Sequence, residues 1–236
     1  CSALLANEVD LCVHSLKDVP VLENPALPIG AYPRRAPACD GMVLPKQQSF
    51  ADWNQSLPVG SASSRRTLQF QMQYPACTVH PIRGNVLTRL EKLDRGEYGA
   101  LILAEAGLQR LGLEHRITRR FSPAEIVPAA GQGILAVQGR AGEYTDLLQS
   151  LNDPQAAFCA KIERAVSKAL NGDCTAPIGA YADLQGEHVT LYGFYAEDGV
   201  GIKSTLTGSV TQAESLANTF AEQLKQQVQA KKEAML

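Results

Sequence analysis

The first two thirds of the chain alternate between short apolar runs and amphipathic stretches. The run at 9–13 (VDLCV) is short and mostly apolar, which is typical of a buried strand. Val86, Leu90 and Leu93 recur at helical spacing on one face of a predicted helix. Strands that alternate with helices over such distances predict βαβ units and a largely parallel sheet. The predicted strands are 9–13, 28–32, 41–44, 57–60, 78–82 and 100–104, and the predicted helices are 3–7, 63–74, 85–95 and 105–111.

Later features predict how the chain divides into domains. The proline- and arginine-rich stretch 33–37 predicts a hinge through which the chain leaves the first domain. After Pro128 the sequence AAGQGILAVQ predicts a glycine-rich turn and a strand that crosses back to the first domain. Asp153 and Pro154 suit the N-cap and first position of a helix that ends near residue 170. Strands at 178–182, 189–196 and 202–207 and a helix at 213–231 predict a small α+β domain with an antiparallel sheet. We expect the remainder of domain 1 in 1–35, domain 2 in 36–128, a return segment and hinge in 129–150, and domain 3 in 151–236.

Composition and charge narrow the class of partner. Hydrophobic residues make up 45% of the chain and charged residues 19%, as in an ordinary globular protein. The net charge of -2 gives no sign of a nucleic-acid partner, whose phosphates need a basic surface. Because no apolar run is long enough to span a bilayer and no signal segment opens the chain, we expect no membrane association. The six cysteines have no C-x-x-C spacing, which favours reduced thiols, a cytoplasmic protein and no metal site.

The segment HSLKDVP brings polar side chains to the end of the first predicted strand. The carboxyl ends of strands are where α/β proteins place their sites. At such a place Asp18 is able to stabilise a developing cation or exchange a proton, and Lys17 is able to contact an anion. An ordinary strand-end turn with an exposed Lys–Asp pair fits these residues too, and the segment taken by itself favours that simpler interpretation.

Five arginines near strand–helix junctions predict an anion site. In GSASSRRTLQ the backbone N–H groups and serine hydroxyls of a helix start can bind an anion, and Arg65 and Arg66 occupy a turn where the helix dipole disfavours cations. IRGNVLTRL repeats the arrangement with Arg83 and Arg89, and Arg110 follows a further strand. Guanidinium groups bind carboxylates through two parallel hydrogen bonds, so the set suits a ligand with many carboxylates. Phosphate is the rival ligand, although there is no P-loop, and a solvated helix start is the simpler alternative.

Cys174 lies on a predicted loop between the helix terminator Gly172 and a strand. An accessible loop thiol is a candidate nucleophile or point of covalent attachment. Free cysteines are usually small buried hydrophobic residues, however, and the neighbouring Asp173 disfavours the thiolate. The chemistry of the residues therefore does not choose between Cys174 and Cys159.

Six separated segments resemble the porphobilinogen deaminase family in order and spacing. They are VHSLKDVP, SSRR, IRGNVLTRLEKLDRGEY, AGLQRLGL, PAAGQG and NGDCTAPIG, and the match runs from the first residues to the last helix. The resemblance implies two α/β lobes like those of periplasmic binding proteins, the first incomplete, and a small C-terminal α+β domain. It also implies a transferase that joins porphobilinogen molecules head to tail into hydroxymethylbilane, with release of ammonia, in porphyrin and haem biosynthesis.

The resemblance assigns roles to the residues singled out above. Cys174 occupies the position of the cysteine that holds a dipyrromethane cofactor through a thioether. Asp18 occupies that of the catalytic aspartate, which also contacts the cofactor. Ser15, Lys17, Ser63, Arg65, Arg66 and Arg83 match cofactor contacts, and Arg83, Arg89, Arg110 and Gln132 match residues that bind porphobilinogen and the growing pyrrole chain. We expect a monomer.

Two departures from the family pattern affect these expectations. Ala62 interrupts a loop that is otherwise serine or threonine, which removes at most one hydrogen bond. The family's opening segment does not precede Cys1, so we expect the strand at 9–13 to lack neighbours and the chain as given not to be a competent enzyme. The alternatives are an inactive fragment of the enzyme and a non-catalytic small-anion binding protein. The latter explains the arginines but not Asp18 or Cys174.

Overall fold

The computed structural model describes residues 2–22, 24–171 and 177–235. Its strands are β1 (Leu11–Ser15), β2 (Ile29–Ala31), β3 (Asp40–Val43), β4 (Val59–Gly60), β5 (Val79–His80), β6 (Ala100–Ala104), β7 (Ile117–Arg120), β8 (Leu135–Gly139), β9 (Ile178–Gln185), β10 (His188–Glu197) and β11 (Val200–Ser209). Its α-helices are α1 (Ser2–Leu5), α2 (Ser64–Gln73), α3 (Val86–Asp94), α4 (Glu105–Gln109), α5 (Thr145–Leu151), α6 (Pro154–Ala169) and α7 (Ala213–Glu233). Over the described residues the strands form three sheets, and the chain returns to the first sheet through β8.

β8 is the central strand of the first sheet, whose order is β1-β8-β2. It runs antiparallel to β2 and to β1, with Leu11 opposite Gly139. The chain therefore returns to the first sheet, as predicted. The strand expected at 9–13 begins and ends two residues later, because pairing with β8 rather than the apolar run sets its limits. It has β8 as a neighbour, contrary to expectation, while Val13 stays 62% exposed.

The middle sheet is mixed, with the order β5-β4-β6-β3-β7. β4 is parallel to β5 and β6, whereas β3 is antiparallel to β6 and β7, so the prediction of a largely parallel sheet is wrong for half of it. The pattern does not predict β7, because its sequence ITRR carries two arginines at the edge of the sheet. β6 is apolar on both faces since Ile102 packs into a core with Phe70, and Leu101 into another with Leu90.

The third sheet, in the order β9-β10-β11, is antiparallel throughout and packs on α6 and α7. All five elements match predicted ones, although each strand is longer than expected. The Asp153 side chain accepts a hydrogen bond from Ala156 N at 2.8 Å, which caps α6 as predicted. α7 lies against β10 at Gly193, where an added Cβ would be 2.6 Å from Phe220 Cε1 and from Leu224 Cδ1. This close approach of helix and sheet requires a glycine.

Replacing Gly193 by alanine should lower the free energy of unfolding by roughly 1–3 kcal/mol, because the added methyl group overpacks the contact between α7 and β10. Urea unfolding followed by circular dichroism measures the change. Gly107 in α4 is a matched control, since a Cβ there meets nothing within 4 Å and alanine favours a helix. Equal losses of stability in Gly193→Ala and Gly107→Ala would contradict this packing.

Candidate functional site

A cavity of about 720 Å³ opens where β1 ends, beside the start of α2 and next to α6. Six of the predicted site residues line it: Lys17, Asp18, Ser63, Arg65, Arg66 and Gln132. The wall also includes Ile178, the first residue of β9. The HSLKDVP loop and the SSRR helix start, which are far apart in the sequence, therefore meet at one cavity that the C-terminal domain also borders.

The HSLKDVP loop is fixed at its base by Leu16. The residue is 1% exposed, and its backbone N–H donates to the carbonyl oxygen of Ile134 at 3.0 Å. The residues Leu16–Asp18 form a single 3₁₀ turn that follows β1 directly. Because Leu16 points into the core, the turn leaves Lys17 and Asp18 at the cavity.

Arg164, on α6, holds the same loop from the side of the C-terminal domain. Its guanidinium group donates to the carbonyl oxygens of Val19, Pro20 and Val21 at 3.2, 2.8 and 3.3 Å, and the residue is buried. Three carbonyl oxygens bound to one guanidinium group fix the backbone that follows Asp18. The sequence gives no sign of this role, because loop carbonyls leave no pattern in side-chain identities.

α2 begins as its sequence predicts. Ser63 is the N-cap residue, and its hydroxyl accepts a hydrogen bond from Arg66 N at 3.5 Å. Arg65 and Arg66 follow in the first turn and are only 4% and 7% exposed. Their guanidinium groups therefore lie in the wall of the cavity rather than in solvent, and two buried cations need a counter-charge.

Asp40, at the start of β3, supplies that counter-charge. Its Oδ2 lies 2.9 Å from Arg65 Nη1, and its Oδ1 accepts a hydrogen bond from Arg66 Nε at 2.9 Å. Gln132 completes the cluster: its Nε2 donates to Asp40 Oδ1 at 2.9 Å, and its Oε1 accepts from Arg65 and Arg66 at 3.4 and 3.3 Å. The anion that compensates the two arginines is thus part of the chain, whereas their position in the sequence suggested a bound ligand.

The charges of this cluster shift the pKa values of its members. Burial by itself would raise the pKa of Asp40, but Arg65 and Arg66 outweigh it and lower that pKa to about 2. Burial, with a further contribution from Arg66, lowers the pKa of Lys17 to about 8, while Asp18 and Asp40 act in the opposite direction. Lys17 is therefore mostly cationic at neutral pH and loses its charge as the pH rises through about 8.

Three predicted arginines are not among the residues that line the cavity. Arg89 is half-buried, and its Nε donates to the carbonyl oxygen of Gly84 at 2.8 Å. Burial and the charge of Arg66 lower the pKa of Arg89. Arg83 and Arg110 are exposed.

Two further predicted residues are Ser15 and Cys174. Ser15 is half-buried at the end of β1, directly before the loop that lines the cavity. Cys174 lies outside the described residues. Ser167 of α6 and Ile178 of β9, which precede and follow Cys174 in the sequence, both line the cavity.

Arg35, in the first of the two segments that cross between the lobes (33–37 and 129–150), forms an ion pair with the buried carboxylate of Glu163. Arg35 Nη1 lies 2.6 Å from Glu163 Oε1, and Nη2 lies 3.2 Å from Oε2. The same carboxylate accepts hydrogen bonds from the backbone N–H groups of Gly131 and Ala182 at 2.7 and 2.9 Å, and it is 0% exposed. One carboxylate therefore joins both crossing segments to the C-terminal domain.

Gly133 lets the two crossing segments touch. Its φ is +87°, and a Cβ at this position would lie 2.4 Å from the carbonyl oxygen of Ala36. Ala36 N donates to the carbonyl oxygen of Gly133 at 3.1 Å, and Arg110 Nη2 donates to that same oxygen at 3.1 Å. The end of α4 is thereby connected to the crossing, which gives Arg110 a structural contact in addition to its predicted role.

The fold and the site define a class of protein. Among residues 2–22, 24–171 and 177–235 no helix is long and apolar enough to cross a membrane. The same residues contain no group of three or more His, Cys, Asp or Glu side chains placed to hold a metal ion. The charged residues that line the cavity are Lys17, Arg65, Arg66 and Arg164, with the single carboxylate of Asp18, and such an excess of cations suits carboxylates or phosphates as ligands. The chain is a two-lobed α/β protein whose cavity has a cationic wall for an anionic ligand.

Similarity to known proteins identifies the family. Residues 1–147 match the family model described as porphobilinogen deaminase, dipyromethane cofactor binding domain, and residues 157–226 match porphobilinogen deaminase, C-terminal domain. The chain is 50% identical over 220 residues to the porphobilinogen deaminase of Acetivibrio thermocellus, covering 93% of this chain and 75% of that protein. It is 45% identical over 224 residues to that of Alkaliphilus oremlandii, covering 94% and 75%. The chain belongs to the porphobilinogen deaminase family.

Membership of this family confirms the predicted transferase of tetrapyrrole biosynthesis and its dipyrromethane cofactor. Among solved structures, the arginine-specific periplasmic binding protein STM4351 of Salmonella typhimurium is 18% identical, with a TM-score of 0.35, over 66% of this chain and 72% of that one. A TRAP periplasmic solute binding protein of Desulfovibrio salexigens is 11% identical, with a TM-score of 0.39, over 98% and 75%. At these scores the likeness carries no argument, and the fold rests on the sheets described above.

Replacing Glu163 by glutamine should lower the free energy of unfolding by roughly 3–5 kcal/mol, because the guanidinium group of Arg35, whose side chain is only 15% exposed, would lose its charged partner. Urea unfolding again measures the change. Glu97→Gln, which breaks an exposed pair with Arg95, is the control and should cost about 1 kcal/mol or less. A Glu163→Gln variant as stable as the control would show that this carboxylate does not join the domains.

Proposed function

We propose that the cavity holds the dipyrromethane cofactor and the growing pyrrole chain while the enzyme joins porphobilinogen molecules into hydroxymethylbilane. One observation carries the proposal: Lys17, Asp18, Arg65 and Arg66, from two distant segments, line a single cavity that α6 and β9 also border. Every ring derived from porphobilinogen carries carboxylates, so a cofactor and chain built from it need a cationic wall.

The residues present suit such a group. Lys17 is half-buried and mostly cationic at neutral pH. Arg66 donates from Nε and Nη2 to Asp40 and Gln132, and within the described part of the chain its Nη1 keeps its donors for a ligand. The start of α2, capped by Ser63, adds backbone donors. A cavity of about 720 Å³ is also within the usual range for small-molecule sites.

The mechanism assigns separate tasks to the side chains of the cavity. When bound, the cofactor supplies a covalently anchored primer to which porphobilinogen is added. Asp18 is the catalytic residue: its carboxylate stabilises the positive charge that develops on porphobilinogen as ammonia leaves, and it takes up the proton released when rings are joined. Lys17 and Arg66 bind carboxylates and hold the reacting ends beside Asp18. Because Leu16 and Arg164 fix the backbone of the loop, Asp18 is held in place before the substrate arrives.

The remaining assignments belong to the same proposal. Ser15, Lys17, Asp18, Ser63, Arg65, Arg66 and Arg83 contact the cofactor, and Arg83, Arg89, Arg110 and Gln132 contact the substrate and growing chain. Arg89 supports this arrangement because burial and, second, the positive charge of Arg66 lower its pKa, so Arg89 is within electrostatic reach of an arginine that lines the cavity. Gln132 supports it because it lines the cavity and holds both arginines of α2.

Cys174 is the proposed attachment point of the cofactor through a thioether. The support is that α6 and β9, between which Cys174 lies in the sequence, both contribute to the cavity wall. We also propose the domain division 1–35, 36–128, 129–150 and 151–236, which places each of the three sheets in one domain with β8 returning to the first. A monomeric, cytoplasmic chain completes the proposal and fits the free thiols of Cys12, Cys39, Cys77 and Cys159.

Intact-protein mass spectrometry of the purified chain, before and after incubation with porphobilinogen, tests this function. The expected result is an added mass that corresponds to linked porphobilinogen-derived rings. Cys174→Ser should lack the added mass, because no thioether can form, whereas Cys12→Ser should keep it. Cys12 is a matched control because it is a half-buried free thiol on β1 and is not among the residues that line the cavity.

Two outcomes would count against the proposal. An added mass that persists in Cys174→Ser would place the cofactor elsewhere. An unmodified mass in every variant, together with binding of porphobilinogen that can be reversed by dialysis, would favour a non-catalytic small-anion binding protein.

Replacing Asp18 by asparagine should slow growth of the adduct by roughly 10²–10⁴-fold, because the amide neither stabilises the developing cation nor accepts the proton. Time-resolved intact mass after addition of porphobilinogen measures this rate. Asp146→Asn, an exposed carboxylate in the first turn of α5, should leave the rate unchanged. An Asp18→Asn variant that extends its adduct at the parent rate would remove Asp18 from the mechanism.

A further inference from the structure

Asp40 is a buried carboxylate that neither the proposed mechanism nor the sequence pattern uses. It is 0% exposed and lies at the start of β3, between the side chains of Arg65 and Arg66. Its Oδ2 is 2.9 Å from Arg65 Nη1, and its Oδ1 is 2.9 Å from Arg66 Nε and 2.7 Å from Arg66 Nη2. A single carboxylate thus faces two guanidinium groups.

The surroundings restrict what each guanidinium group can do. Arg65 Nη1 also donates to the carbonyl oxygen of Val127 at 2.5 Å, and Arg65 Nη2 donates to Gln132 Oε1. Arg65 is therefore bound on several sides by the protein. Arg66 is bound along one edge, formed by Nε and Nη2. Asp40 accordingly sets how the guanidinium plane of Arg66 meets the cavity.

A purely structural role explains this arrangement less well. Buried ion pairs contribute little net stability compared with apolar packing, and further along β3, after Gly41, Met42 and Val43 pack in apolar cores. An apolar residue would suit the same strand without any arginine. The ion cluster is found instead at the wall of the cavity, which Arg65 and Arg66 line.

We propose that Asp40 is a positioning residue of the cofactor site, which holds Arg65 and Arg66 in the cavity wall and offsets part of their positive charge next to Lys17. The inference rests on the proposed function of the cavity. It predicts that removal of the Asp40 charge leaves two neighbouring guanidinium groups without a shared anion. They would then separate, and Arg66 would no longer present its free edge to a carboxylate.

The pKa of Lys17 depends on the charge of Asp40, and it can be measured without any bound cofactor. The charged groups that act on Lys17 are Arg66, Asp18, Asp40 and Arg65, and Asp40 is one of the two that raise its pKa. Without the negative charge of Asp40, the pKa of Lys17 should fall below its present value of about 8. Lys17 would then react with an amine-directed acylating reagent at lower pH than in the parent chain.

The test compares Asp40→Asn with the parent and with Glu105→Gln. Glu105 is a matched control: it is a buried carboxylate that follows β6, the strand paired with β3, and its partner Arg120 does not line the cavity. Peptide mass spectrometry gives the pH midpoint of Lys17 acylation, and intact mass after incubation with porphobilinogen gives the fraction of chain that carries the adduct. We expect Asp40→Asn to move the midpoint to lower pH and to reduce the adduct several-fold, whereas Glu105→Gln changes neither.

A folded Asp40→Asn variant with the parent's Lys17 midpoint and adduct fraction would overturn the proposal. Should Asp40→Asn not fold, Asp40→Asn/Arg65→Gln keeps the net charge of the cluster. This double variant should carry less adduct than Arg65→Gln, because Arg66 has lost its partner, and equal adduct in both would overturn the proposal. If the parent chain itself carries no adduct, the proposed function fails, while the Lys17 midpoint still decides the role of Asp40.

Discussion

The arrangement of the three domains depends on one buried carboxylate, that of Glu163. It receives two guanidinium N–H groups of Arg35 and the backbone N–H groups of Gly131 and Ala182, so it joins both crossing segments and the C-terminal domain at one point. The next residue, Arg164, holds the loop that carries Asp18. A single turn of α6 therefore sets the position of the Asp18 loop relative to the two crossing segments, and with it the shape of the cavity.

At the cavity, too, a buried carboxylate of the chain compensates buried positive charge. Two arginines that the protein buries need an anion, and Asp40 provides it at a position from which the cations still line the cavity. The wall is then cationic without being strained by unpaired buried charge. Lys17, whose pKa burial lowers to about 8, adds a charge that is sensitive to its neighbours. The site is in this way prepared for carboxylates before any ligand binds.

Elements with a strong local pattern could be predicted from the sequence, as could the return of the chain to the first sheet, whereas the pairing of strands in the middle sheet could not. The core strand β6, the helix α3 and the capped start of α6 follow from apolar periodicity and from Asp153, and the family's motifs named the cavity residues. Apolar periodicity could not predict β7 or α5, because β7 contains two arginines and α5 is short and mostly exposed. Asp40 is a lone charge at the start of an apolar strand, and Glu163 lies on the apolar face of α6 near Cys159 and Val166. A charged residue within an apolar element was the sequence signal for both Asp40 and Glu163. Only the fold shows which arginines these two carboxylates contact.

In the proposed enzyme, the cavity between the lobes and the C-terminal domain holds the cofactor on its cationic wall. A crystal structure of the chain after incubation with porphobilinogen tests it most directly. We expect electron density that is continuous from Sγ of Cys174 into the cavity, with carboxylates bound to Lys17 and Arg66 and ring nitrogens near Asp18. Density attached to another residue, or a ligand whose carboxylates face away from Lys17 and Arg66, would contradict it.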